Sequence, residues 1–157
     1  MGNQPVLDVL AQMAETHPEV KFTQIVLAAP DVDRKQFAEI AHKVAPIAKN
    51  LTLYASARDE AMIVSRRIHS GLPRAGDVPP EGPVVLRGLD TIDATALSTE
   101  VFSTSHSKYA EDTSLLKDIG LLMRNAMRPP DVRTPSFARR SSSGALEYCV
   151  SVGAGTP

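Results

Sequence analysis

This chain of 157 residues has one cysteine, no excess of basic charge and no long apolar run. Each shortage removes a class of function. A single thiol, Cys149, rules out an internal disulfide framework and any cysteine-based metal cluster, though it does not fix a compartment. A formal net charge of −1 argues against a nucleic-acid binder, which would carry a basic stripe. The arginine pairs Arg66-Arg67 and Arg139-Arg140 are too short to form a polybasic patch and read as solvated surface. No apolar stretch approaches the roughly 20 residues that a membrane span requires. Met1-Gly-Asn-Gln-Pro5 lacks the basic start and apolar core of a signal peptide, and its myristoylation pattern is incomplete. There is no glycine-rich phosphate loop, no histidine or cysteine metal spacing and no long internal repeat. No cofactor is expected.

What is present is an alternation of helical and strand patterns, in a chain long enough for one domain with a real core. From Gln4 to His17, apolar residues at Val6, Leu7, Leu10, Met13 and Ala14 have helical spacing, with Pro5 in the first turn and Pro18 ending the pattern. Phe22–Ala29 reads as a strand buried on both faces, stopped by Pro30. Asp33 can cap a helix with Phe37, Ile40, Ala41, Val44 and Ile47 on one face, its last turn disturbed by Pro46. Leu51–Ala55 is the second strand. Asp59-Glu60 opens a third helix with Ala61, Val64, Ser65 and Ile68 inward, stopped by Gly71 and Pro73.

A turn-rich loop runs from Leu72 to Pro83. The third strand is expected at Val84–Arg87, extending at most to Ile92. A polar loop containing His106 precedes a helix from about Tyr109 to Arg128, with Leu115, Leu116, Ile119, Leu122, Met123 and Ala126 inward and Pro129-Pro130 as its stop. Residues 1–128 therefore form the domain, and 129–157 a largely irregular tail with room for one short strand at Ala145–Val152. The order implies an α/β fold with a parallel sheet of about three strands. Such a thin sheet has two open edges and invites self-association.

In open α/β sheets the chemistry sits just outside the carboxyl ends of the strands. Asp31 and Asp33, Asp59, and the region from Asp90 to His106 fall there. A carboxylate and a histidine from separate loops are what nucleophilic catalysis requires: the histidine takes the nucleophile's proton, and the carboxylate fixes its tautomer. Spacing alone is a weak signal, and each residue has a plainer reading. Asp33 and Asp59 can be helix caps. Asp77, Asp90 and Asp93 suit turn hydrogen bonds. His17, His42 and His69 suit helix ends and faces, and His106 could lie on the surface.

The motifs Ile25-Val-Leu-Ala-Ala-Pro-Asp-Val-Asp33, Leu51-Thr-Leu-Tyr-Ala-Ser-Ala-Arg-Asp59, Pro73-Arg-Ala-Gly-Asp77, Gly88-Leu-Asp-Thr-Ile-Asp-Ala94 and Ser105-His106 occur in that order. Together they resemble the C-terminal half of a bacterial α/β-hydrolase family of uncharacterised function, over residues 1 to about 128. The resemblance implies a serine hydrolase of esterase or lipase type, with a small ester-like substrate and the chain order serine, acid, histidine. It implies His106 as the general base and Asp59 as the acid, with Asp33 or Asp31 as the fallback acid one strand earlier. Met1-Gly2 looks like the close of a Gly-x-Ser-x-Gly elbow. The nucleophile would then lie immediately ahead of Met1, whose backbone N–H would be an oxyanion donor. On that reading residues 1–157 are a fragment that does not turn over substrate. The alternative is a small non-catalytic α/β module, receiver-like or partner-binding, that uses Asp31, Asp33 and Asp59 around a divalent cation.

Overall fold

The computed structural model describes residues 3–57, 73–95, 113–125, 137–142 and 145–150. The first helix, α1 (Asn3–Thr16), buries Leu7 and Leu10, with Ala11, Met13 and Ala14 half-buried behind them. Val6 and Val9 point outward instead, so the buried stripe is narrower than the apolar spacing suggested. Strand β1 (Ile25–Ala28) is shorter than the expected run from Phe22, because Phe22 makes only an isolated bridge to Ala48. Helix α2 (Arg34–Val44) starts on Asp33, whose carboxylate accepts from the N–H groups of Lys35 and Gln36. Phe37, Ile40, Ala41 and Val44 are its buried face, as their spacing predicts. A single 3₁₀ turn (Ala45–Ile47) then absorbs Pro46, which could not continue the α-helical ladder.

Strand β2 (Leu51–Ala55) is buried at every position, the pattern of a strand covered on both faces. Burial of its Leu53 side chain alone contributes about 2 kcal/mol. Strand β3 lies at Asp90–Asp93, not at Val84–Arg87. The Val84 segment instead runs beside it, its carbonyl accepting from the Thr91 hydroxyl at 2.6 Å, and Leu86–Leu89 form a turn. Helix α3 (Thr113–Asn125) buries Leu122 as expected and leaves Ile119 half-buried, but it also turns Asp118 inward and exposes Met123, which was expected inward.

β1, β2 and β3 are parallel neighbours, with Leu27 opposite Leu53 and Leu53 opposite Thr91. The sheet then continues into the stretch expected to be largely irregular. Strand β5 (Ala145–Val150), inside the short run marked as able to form one, pairs in parallel with β3. Strand β4 (Phe137–Ser142) pairs antiparallel with β5. The sheet order is β1-β2-β3-β5-β4, so β3 is not an open edge. α1 and α2 pack against each other, tied across the surface by Lys43 and Glu15 at 2.8 Å. That hydrogen bond and the Lys43 charge hold the Glu15 carboxyl below the ordinary range, and Glu15 raises Lys43 in return. Among the described residues, no helix is long and apolar enough to cross a membrane.

Candidate active site

The carboxyl ends of β1, β2 and β3 lie side by side, with a short loop laid across two of them. At the end of β1, Ala29 adopts φ +42° and Pro30 turns the chain away. Residues 73–77 then pack against this exit as a strap. Ala75 N–H donates to the Val32 carbonyl at 2.8 Å, and Gly76 N–H to the Pro30 carbonyl at 3.0 Å. Ser56 N–H, at the end of β2, donates to the Gly76 carbonyl at 3.0 Å. Only glycine fits position 76: a Cβ there would sit 2.4 Å from the Ala29 carbonyl carbon and 2.6 Å from Pro30 N.

The strap decides what the two β1 aspartates do. Arg74 Nε donates to Asp31 Oδ1 at 2.8 Å, and its Nη2 donates to the Asp31 carbonyl at 3.2 Å, with both side chains mostly buried. Asp33 caps α2 through its carboxylate and bridges Arg74 through its backbone. Both fallback acids are thus engaged in holding the loop and helix. Asp77 stands in the turn expected of it, its N–H donating to the Arg74 carbonyl at 3.2 Å, and is completely enclosed.

At the other two strand ends the donors are backbone N–H groups. Ala57 N–H donates to Thr95 Oγ1 at 2.9 Å, Ala94 N–H to the Ala55 carbonyl at 2.8 Å, and Thr95 N–H to Asp93 Oδ1 at 2.9 Å. Asp93 makes the expected turn bond, whereas Asp90 is a buried strand residue at the opposite end of β3. Asp59 lies two residues beyond Ala57. Asp59, His106, Met1 and the third helix opened by Asp59-Glu60 all fall outside the described residues.

Two features escaped the sequence reading. Asn3 Nδ2 donates to the Ala28 carbonyl at 3.1 Å, which brings the N-terminal end of α1 to the same carboxyl edge. Its free backbone N–H groups and dipole favour negative charge there. The Tyr54 phenol on β2 donates to Asp118 Oδ2 on α3, a fully buried bond between groups 64 positions apart. No periodicity could have revealed it. His17 forms an exposed pair with Glu19, and His42 lies on the mouth of a small cavity of about 140 Å³ at the amino end of β2, away from the carboxyl edge. Among the described residues, no group of three or more His, Cys, Asp or Glu side chains is placed to hold a metal ion.

The family model described as alpha/beta hydrolase of unknown function (DUF900) matches residues 1–124. No curated protein and no solved structure matches.

Proposed function

The chain belongs to this α/β-hydrolase family of unknown function, and on that premise we propose that it supplies the acid–base part of a serine-hydrolase site for esters or related acyl bonds. His106 is the general base that takes the serine proton and then returns it to the leaving group. Asp59 orients the imidazole and stabilises its charged form. The serine enters from a Gly-x-Ser segment joined ahead of Met1, and the Met1 N–H is one oxyanion donor.

The observation that carries this reading is the bond from Asn3 to Ala28, which sets the start of α1 at the carboxyl edge where β2 leads towards Asp59. A helix N-terminus there is suited to a developing oxyanion. The preference for Asp59 over the fallback acids follows from the strap, since Asp31 is paired with Arg74 and Asp33 caps α2. The same engagement counts against the cation-binding alternative, which needs both carboxylates open.

The test is an esterase assay on two proteins. Residues 1–157 alone should hydrolyse p-nitrophenyl acetate no faster than buffer. The natural reading frame extended upstream through a Gly-x-Ser codon run should be active, and His106→Ala should reduce that activity by about 10²–10⁴-fold. An in-frame stop codon just ahead of Met1, or activity indifferent to His106→Ala, overturns the reading.

A further inference from the structure

We propose that Tyr54, Thr95 and Asp118 are positioning residues that pin both ends of the segment carrying His106 to the strand that leads into Asp59. The inference rests on the assignment of Asp59 and His106 as an orienting pair. Tyr54 is the fourth residue of β2 and stands five positions before Asp59. Its phenol is wholly buried and donates to Asp118 on α3, the helix that follows the histidine segment. Thr95 holds the other end. Its hydroxyl accepts from Ala57 N–H, two positions before Asp59, while its own N–H is fixed by Asp93. The described residues on either side of 96–112, Thr95 and Asp118 on α3, are therefore both bonded to one short stretch, 54–57.

The chemistry of these bonds says what they are for. If α3 had only to cover the sheet, Phe and Leu in place of Tyr54 and Asp118 would serve as well, because a buried polar pair gains little net stability over an apolar one of the same shape. A phenol–carboxylate bond in a low-dielectric interior is short-ranged and strong, so slippage of α3 along β2 by a residue would break it at a cost that slippage of an apolar contact does not carry. It fixes register. An acid–base pair needs that fixity, since a displacement of about 1 Å can cost about 10²-fold in rate.

The readout is the titration of the His106 imidazole by NMR in the full chain, its signal identified by loss in His106→Gln. Pairing with Asp59 should raise its midpoint, and Asp59→Asn should lower it by about one unit. Tyr54→Phe and Thr95→Val should each move it about half a unit or more towards the Asp59→Asn value. Thr95→Ser, which keeps the acceptor oxygen, should retain the native midpoint. Thermal melts confirm that each variant is folded; if Tyr54→Phe is not, the Thr95→Val and Thr95→Ser pair decides. If Asp59→Asn shifts His106 but Tyr54→Phe and Thr95→Val do not, the positioning role is overturned and the pairing stands. If Asp59→Asn has no effect, the pairing falls and the positioning role falls with it.

Discussion

The exits of β1 and β2 lie next to each other and are built differently. At β1 side chains reinforce the backbone bonds of the strap: Asp31 grips Arg74, Asp33 caps α2, and the backbone passes through an Ala29 conformation that costs a non-glycine residue about 1 kcal/mol. At β2 the backbone is what is held. Ser56 and Ala57 donate their N–H groups to the strap and to Thr95, and the carboxylate of that exit comes only afterwards, at Asp59. A carboxylate at a strand end is therefore not a catalytic signal by itself. What it is already bonded to decides whether it can act on a substrate.

The contrast breaks hardest at Gly76. Gly76→Ala drives a Cβ into the backbone of Ala29, so the strap must leave the β1 exit, and a loss of about 3 kcal/mol or more is expected in urea unfolding. A loss near zero would mean that the strap is not locked there. Next comes Arg74→Met, which keeps the aliphatic stem but leaves the largely buried Asp31 carboxylate without its cation. About 2 kcal/mol is expected from the same measurement, below the figure for a fully buried pair because Asp31 keeps 22% of its side-chain exposure. The smallest effect sharpens the comparison instead of breaking it. Asp33→Ala should cost about 1 kcal/mol, and Asp33→Asn only a few tenths, because asparagine caps a helix nearly as well. Asp33→Asn should also leave ester hydrolysis by the upstream-extended protein intact. Abolition of that activity would move the acid one strand earlier.

Much of the N-terminal half was legible because its local signals agree with its tertiary environment. Asp33 before an apolar 3.6-residue period gave α2 and its cap, and Leu51–Ala55 was read to the residue. β3 was misplaced because Val84-Val-Leu-Arg87 has the stronger strand propensity, whereas Asp90-Thr-Ile-Asp93 carries an aspartate at each end. The sheet chose the weaker run because Thr91 and Ile92 could be enclosed beside β2, leaving Val85 and Leu86 half-buried outside the sheet. On α3, Leu122 is buried as expected, but the burial of Asp118, bonded to Tyr54, and the exposure of Met123 had no signal in the apolar spacing. Of the two strands in the last stretch, β5 falls within the expected run Ala145–Val152, whereas β4 was hidden by a composition rich in Arg and Ser, which carries little period-two signal. The strap was seen only as a motif, since nothing local says that residues 73–77 return to the exit of β1.

The sheet order β1-β2-β3-β5-β4 has a consequence for how the chain can be laid down. Each strand up to β3 joins the edge its predecessor has just left, and β4 with β5 can zip together as a local hairpin before reaching β3. Among the described strands, none has to be inserted between two that are already paired. From β1 onward the described sheet can grow in one direction as the chain leaves the ribosome, with the hairpin arriving last over the β3 edge.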